Sequence, residues 1–226
     1  MSEALIGTVT IGQSPRTDVL PDFLEAVGQP VQLANVGALD GLSTEGIAAL
    51  APRPGECVLV TRLRDGAEVK LSEERILARM EACVRELESR GVGSIALFCT
   101  GEFPRLTSRL PLLRPDLLTE RLVSAFLPGG SLYVVVPARE QLSSITRKWT
   151  DRGFEVRADF LSPYSATMDD VLHSAERCAR SSCDLILLDC IGYSKSIRGV
   201  FREIAARPVV LPRSLLGRIA GELLST

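Results

Sequence analysis

The chain has 226 residues, of which 46% are hydrophobic and 24% are charged, as in an ordinary globular protein. Its 26 basic and 28 acidic residues give a formal net charge of −2, which offers no electrostatic basis for nucleic-acid binding. One His and three lysines argue against a multi-histidine metal centre and against pyridoxal chemistry. Any acid–base chemistry therefore falls to Cys, Asp, Glu or Tyr.

The first half of the chain alternates short apolar runs with amphipathic runs. Residues 5–11 predict a buried strand, and the turn that follows predicts Ser14 as the N-cap of a helix over about 16–27. The Asp65-Gly66 pair predicts a hairpin between strands at 57–63 and 67–71. Further strands are predicted at 31–36 and 94–98, and a helix from 72 to about 91.

The second half repeats this plan with strands at 131–136, 154–160, 185–188 and 208–211, separated and followed by helices. Continuous Val, Ile and Leu strands joined by helices are typical of parallel sheets covered on both faces. The sequence therefore predicts an α/β protein of two similar domains. The first would comprise 1–102 plus 208–226, and the second 103–207.

Each half contains a buried strand that ends in a cysteine, in the segments SIALFCTGEF and DLILLDCIGY. Because ligands of α/β sheets bind at the carboxyl ends of the strands, Cys99 and Cys190 are expected at the functional edge. Racemisation of an α-carbon needs a base on one face and an acid on the other, which one thiol from each half could supply. A depressed thiol pKa is expected if a helix N-terminus follows the strand. Since Cys is also a common core residue, packing alone is the competing interpretation of this pair.

The other four cysteines, Cys57, Cys83, Cys178 and Cys183, are interpreted as packing residues. No CxxC pair occurs among the six, so no metal is expected. The N-terminus carries no basic region and no apolar run is long enough to span a bilayer. We therefore expect neither a signal peptide nor a membrane partner, and a cytoplasmic protein whose thiols stay reduced.

Three segments carry a resemblance to a known family. They are the N-terminal IGTVTIGQSPR, the hairpin RLRDG and CTGEFP, which begins at Cys99. Together they resemble the AroM family, which is linked by regulation to aromatic (shikimate) biosynthesis and is similar in turn to the aspartate/glutamate racemase superfamily. This second similarity implies two α/β domains, an active-site cleft between them, no cofactor, and one catalytic cysteine per domain at Cys99 and Cys190. The sequence departs from those racemases in having Thr100-Gly101, where Asn-Thr is common.

Several polar residues near the strand ends are candidates for binding a substrate. Ser14 and Arg16 are expected to hold a carboxylate at a helix start, with Arg139 as the counterpart in the second half. The remaining candidates follow the two cysteines: Thr100, Glu102, Tyr193 and Ser194. Asp189, at the end of a buried strand, is a further site candidate. His173 is expected to be a surface or packing residue.

Together these features predict a cofactor-independent racemase or epimerase, an isomerase acting at the α-carbon of a small amino or hydroxy acid. The expected partner is a small-molecule carboxylate, without nucleic acid, and a homodimer is a possible assembly. The alternative is a non-catalytic binder or sensor of an aromatic-pathway metabolite on the same fold.

Overall fold

The computed structural model describes residues 4–224. Its strands are β1 (Leu5–Thr10), β2 (Gln32–Gly37), β3 (Val58–Arg62), β4 (Glu68–Ser72), β5 (Ser94–Phe98), β6 (Leu112–Leu113), β7 (Ser131–Val136), β8 (Glu155–Phe160), β9 (Leu185–Leu188) and β10 (Val209–Val210). Its α-helices are α1 (Leu20–Val27), α2 (Thr44–Ala48), α3 (Glu73–Ser89), α4 (Pro115–Phe126), α5 (Leu142–Thr150), α6 (Met168–Ala179), α7 (Lys195–Ala205) and α8 (Pro212–Leu224).

Eight of the strands in this described range form two separate parallel sheets. The first sheet has the order β2-β1-β5-β6 and the second has the order β10-β9-β7-β8. Strands β5 and β9 are buried along their whole length, because helices cover both faces of each sheet. The predicted α/β fold with two parallel sheets is confirmed.

Two strand assignments differ from the sequence prediction. The strand predicted at 208–211 was grouped with the first domain, but β10 pairs with β9 in the second sheet. The physical reason is that β9, α7 and β10 form one crossover unit, whose parallel strands lie side by side. In the other direction, β6 joins the first sheet beyond the predicted boundary at 102. The exact domain limits stay a prediction, and residues 1–3 and 225–226 lie outside the described range.

Helix α8 packs on α1 and α4. Gly217 and Gly221 face α1 so closely that an added Cβ would overlap the backbone carbonyl oxygen of Phe23 at the first position and that of Val27 at the second. These glycines therefore set the distance between the two helices.

The first helix begins later than predicted. Residues 17–19 form a turn, and α1 starts at Leu20 with Val19 in the N-cap position. The Ser14–Pro15 peptide bond is cis, and the Ser14 hydroxyl donates to Asp40 at 2.5 Å. The predicted N-cap role of Ser14 is therefore wrong, because Asp40 holds this serine away from the helix start.

The β3–β4 hairpin belongs to neither sheet and connects the two. Its residues Leu59 and Leu71 pack in the first hydrophobic core. On its other side, the Val58 carbonyl accepts a hydrogen bond from Gln141 Nε2 at 2.9 Å, and Lys70 forms an ion pair with Glu140. The hairpin therefore brings part of the first half against the start of α5.

No helix within residues 4–224 has the length and apolar character needed to cross a bilayer.

Candidate active site

Cys99 follows β5 directly and is 6% exposed. Its Sγ accepts a hydrogen bond from the backbone N–H of Gly101 at 3.3 Å. A Cβ at position 101 would lie 2.5 Å from Leu59 Cδ2, so a side chain at this position would have to displace Leu59 of the hairpin.

Cys190 occupies the matching place after β9, separated from the strand by Asp189, and is 5% exposed. Its Sγ accepts a hydrogen bond from the N–H of Gly192, also at 3.3 Å. A Cβ at position 192 would lie 2.5 Å from Tyr164 Oη. The two sheets thus present their cysteines on the same Cys-x-Gly turn.

Both cysteines line one small cavity of about 20 Å³. Residues of both sheets and of the hairpin form its walls: Ile11, Arg16, Leu59, Val60, Phe98, Thr100, Gly101, Pro137, Gln141 and Ile191. This volume holds about one water molecule. The cysteine pair is therefore enclosed in the closed arrangement of the structure.

Arg16 is a buried cation in the wall of this cavity, with 4% of its surface exposed. It forms a two-pronged ion pair with Asp18, at 2.8 and 2.7 Å. Its other donors reach Tyr164 Oη at 3.0 Å and, at longer range, Thr10 and Thr61. Burial opposes the charge of Arg16, but its interactions with Tyr164 and Asp18 outweigh burial and raise the pKa of the guanidinium.

Tyr164 connects Arg16 to the second cysteine. Its Oη lies 3.9 Å from Cys190 Sγ, and the Arg16 guanidinium carbon lies 5.5 Å from the centre of its ring. Burial raises the pKa of Tyr164 well above its usual value, so the phenol is protonated.

The pKa values of both thiols differ from the sequence expectation. Burial raises the pKa of Cys190 to about 11 against the opposing effects of Gly192, Arg16 and Tyr164. Burial also raises the pKa of Cys99, with the Gly101 N–H acting in the opposite direction. The expected depression is wrong because neither cysteine lies at an α-helix N-terminus, and one backbone N–H does not offset burial.

A larger cleft of about 890 Å³ adjoins the cysteine cavity. Four residues line both spaces: Leu59, Thr100, Gly101 and Gln141. Lys148 lies in the cleft wall, where its ammonium group pairs with Glu102 at 2.8 Å. Burial raises the pKa of the nearby Asp189, although Lys148 and Thr100 act in the opposite direction.

The family model described as AroM protein matches residues 6–224. The chain belongs to the AroM family. No curated protein matches its sequence.

Solved structures show what the fold of this AroM chain is similar to. Unliganded arylmalonate decarboxylase matches with a TM-score of 0.60 and 14% identity, over 99% of this chain and 93% of that one. The aspartate racemase of Picrophilus torridus matches with 0.60 and 13%, over 98% and 94%. The maleate isomerase Iso of Pseudomonas putida S16 matches with 0.61 and 15%, over 96% and 90%. The resemblance to the aspartate/glutamate racemase fold is therefore confirmed.

The structure brings three of the predicted binding residues of the AroM chain to the cysteines or the adjoining cleft. Arg16 and Thr100 line the cysteine cavity, whereas Glu102 lines the cleft. The Thr100 hydroxyl donates to the carbonyl oxygen of Asp189 at 3.2 Å, which ties the two cysteine turns together. Their roles in binding stay predictions.

Two predicted residues next to Cys190 are committed to structural contacts. The Tyr193 hydroxyl is fully buried and donates to the Leu161 carbonyl at 2.6 Å. The Ser194 hydroxyl caps α7 by accepting from the N–H of Ile197. Neither side chain lines the cavity, because the turn after Cys190 directs them into the second core and the helix start.

Ser14 and Arg139 also lie outside the cavity lining. The hydroxyl of Ser14 is bonded to Asp40, as described above. The Arg139 guanidinium stacks over Phe160, 4.4 Å from the ring centre. The internal repeat suggested a symmetric carboxylate site, but only its first-half arginine reaches the cysteines.

Sequence reasoning missed Tyr164, Thr61 and Gln141. Tyr164 follows the end of β8, so the rule that selected the cysteines could have found it. Thr61 and Gln141 carry no such signal, because the docking of the hairpin brings them to the site.

Three of the remaining cysteines, Cys83, Cys178 and Cys183, lie in hydrophobic cores as predicted. Cys57 is exposed and lines the cleft, so its interpretation as a packing residue is wrong. His173 is exposed on α6. Across residues 4–224, no group of three or more His, Cys, Asp and Glu side chains is placed to hold a metal ion.

Proposed function

We propose that this chain is a cofactor-independent racemase or epimerase acting at the α-carbon of a small carboxylic acid. The observation that carries the proposal is the pair of matching turns. Cys99 and Cys190 end equivalent strands of two sheets, accept the same backbone hydrogen bond, and line one cavity.

Inversion at a carbon requires proton removal from one face and proton return to the other. A thiolate on one side becomes a thiol when it takes the α-proton, and the opposite thiol becomes a thiolate when it supplies the new one. The charge on the intermediate is that of an enediolate, which a nearby cation stabilises. Arg16 is the buried cation at this cavity.

The hydrogen bonds of Arg16 indicate how a substrate carboxylate would bind. All five of its donors have partners, and the bonds from Nη1 to Thr10 and Thr61 are the longest, at 3.4 and 3.3 Å. A carboxylate oxygen would replace these two hydroxyls most easily. The hydroxyls would then be free to donate to the same carboxylate.

The cavity must enlarge before a substrate fits. Because Leu59, Thr100, Gly101 and Gln141 separate it from the cleft of about 890 Å³, the cleft is the natural route of access. The hydrogen bond from Gln141 to the hairpin carbonyl of Val58 closes this route and would break on opening.

The test is isotope exchange in deuterated water. The full chain is incubated with α-amino acids, α-hydroxy acids and carboxylates of the aromatic pathway, and deuterium at the α-carbon is followed by NMR. We expect exchange with at least one of them, reduced at least 100-fold in Cys99→Ser and in Cys190→Ser because each variant lacks one partner of the transfer. Cys83→Ala, which changes a core cysteine outside the cavity, should retain wild-type exchange.

The second candidate is a binder that does not catalyse exchange. The specific observation in its favour is the raised pKa of both thiols, which leaves them protonated at neutral pH. Saturable binding of a carboxylate in calorimetry, with no exchange for any bound compound, would establish the binder and contradict the enzyme.

A further inference from the structure

The two cysteine turns share a backbone hydrogen bond but differ in their side-chain surroundings. Cys99 Sγ has one hydrogen-bond partner within the described residues, the N–H of Gly101. Cys190 Sγ has two, the N–H of Gly192 and the hydroxyl of Tyr164. The exposed fractions of the two cysteines, 6% and 5%, are nearly equal, so access does not distinguish them.

The direction of the Tyr164 hydrogen bond follows from the chemistry of its neighbours. An arginine side chain has donors and no acceptor, so Tyr164 Oη accepts from Arg16. The single phenolic proton is then available to another group, and Cys190 Sγ, at 3.9 Å, is the acceptor that lies in its reach. Tyr164 therefore donates to the sulfur, an arrangement that strengthens when the sulfur carries a negative charge.

The approach of Tyr164 to Cys190 is built into the turn. The missing side chain of Gly192 leaves the space that the phenol oxygen and ring carbon occupy, since a Cβ there would lie 2.5 and 2.6 Å from Oη and Cζ. The same glycine provides the N–H that Cys190 accepts. Glycine at position 192 therefore allows both hydrogen-bond donors, its own N–H and the Tyr164 hydroxyl, to reach Cys190.

We propose that Tyr164, held by Arg16, is a positioning residue that makes Cys190 the proton acceptor of the pair and leaves Cys99 as the proton donor. This inference rests on the proposed function, because the roles of proton acceptor and proton donor belong to the proposed racemisation. Cys190 loses its proton to solvent and then removes the α-proton as a thiolate, while Cys99 delivers its thiol proton to the other face. After one inversion, Cys190 is a thiol and Cys99 is a thiolate, so proton exchange with water restores the starting state.

The electrostatic surroundings support the same order. The charged and titratable groups facing Cys190 are Arg16, Tyr164, Asp189, Tyr193 and Cys99. Burial raises the pKa of Cys190, while Gly192, Arg16 and Tyr164 act in the opposite direction. Burial also raises the pKa of Cys99, and there Cys190, Asp116 and Glu73 raise it further, with only Gly101 acting against them.

Residue-resolved alkylation tests the proposal without a substrate. The folded full chain is exposed to iodoacetamide for increasing times between pH 7 and 10, then unfolded, and the remaining thiols are labelled with a heavy reagent. Cys99 lies on the tryptic peptide 91–105 and Cys190 on 181–195, where fragment ions separate it from Cys183. We expect Cys190 to react faster than Cys99 in the wild type at each pH of this series.

Tyr164→Phe should slow the alkylation of Cys190 roughly three- to tenfold at a given pH, because the thiolate loses one hydrogen bond, and should leave Cys99 unchanged. A purely structural role would loosen the site and speed alkylation instead. Tyr133→Phe is the matched control, since the Tyr133 hydroxyl is bonded to Asp159 and this residue is absent from the cavity lining. It should leave both rates at the wild-type value.

Faster alkylation of Cys99 than of Cys190 in the wild type overturns the proposal, even if Tyr164→Phe does not fold. An unchanged or increased Cys190 rate in folded Tyr164→Phe also overturns it. The proposed function is decided separately by deuterium exchange. If no deuterium exchange is seen but Cys190 is alkylated faster than Cys99, the proposed enzymatic function is contradicted, whereas Cys190 is still the more acidic thiol.

Discussion

Gly192 lies where Tyr164 and Pro163 leave no room for a side chain, with the Pro163 Cγ only 2.7 Å from the place of a Cβ. The Tyr164 phenol also donates to Cys190 and accepts from Arg16, so a shift of its ring would disturb the contacts of both residues. At this position, a single methyl group tests both packing and site geometry.

We expect Gly192→Ala to lower the free energy of unfolding by about 1–3 kcal/mol, because the overpacked ring must move. It should also slow Cys190 alkylation in the same way as Tyr164→Phe. Urea unfolding measures the first effect. Gly93→Ala is the control, since its added Cβ would lie at an ordinary 3.8 Å from the Leu5 carbonyl oxygen. Equal stability of the two variants would contradict the contact.

Helices α1 and α8 pack directly on each other. Glycine within a helix is unfavourable by roughly 0.5–1 kcal/mol relative to alanine, yet α8 carries Gly217 and Gly221 one turn apart. These two glycines allow α1 to approach closely, because its backbone carbonyls occupy the space that side chains at 217 and 221 would need.

Gly221→Ala should therefore destabilise the protein by about 2–4 kcal/mol, because the Val27 backbone cannot move as a flexible side chain could. Gly199→Ala in α7, where an added Cβ meets open space, should instead stabilise by about 0.5–1 kcal/mol. Chemical denaturation of both variants gives the comparison. A stabilising Gly221→Ala would show that the helices can separate at little cost.

Across the whole molecule, the elements that could be predicted are those that their own local sequence specifies. The strands Ser94–Phe98, Ser131–Val136 and Leu185–Leu188 could be predicted to the residue, because each contains a short continuous apolar run, which is typical of a buried strand. The two cysteines followed from the same strands. The short strand Leu112–Leu113 could not be predicted, since its pairing with β5 and not its own pattern creates it.

Two of the site residues that were missed depend on contacts between distant segments. Thr61 accepts a hydrogen bond from Arg16, 45 residues earlier in the chain, and Gln141 donates to the hairpin carbonyl of Val58. Ser14, by contrast, has the residue type and spacing of a helix cap, but its hydroxyl donates to Asp40 instead. Local sequence could identify the strand ends, but not which side chains the docked hairpin would bring to them.

The raised thiol pKa values have a consequence for the stability of the whole molecule. The folded chain holds the Cys190 proton up to about pH 11, whereas an unfolded chain loses it near pH 9. Above pH 9 the folded state therefore binds more protons than the unfolded state, and stability falls as pH rises. Below pH 9 the contribution of this thiol is constant.

We expect the wild type to lose about 2 kcal/mol more than Cys190→Ser between pH 8 and 10.5, because serine does not titrate in this range. The difference between the two proteins cancels the contributions of Lys, Tyr and the other cysteines. Urea unfolding at a series of pH values provides the measurement. Parallel pH profiles would show that the Cys190 proton is no harder to remove in the folded chain.

The hydrogen bond between Arg16 and Tyr164 joins segments 148 residues apart in the chain. If these segments separated, Cys190 would lose the hydrogen bond of Tyr164, but it would also lose the burial that is the largest cause of its raised pKa. Peroxides oxidise thiolates much faster than thiols. The link between Arg16 and Tyr164 would thus protect this sulfur from oxidative damage by keeping it buried.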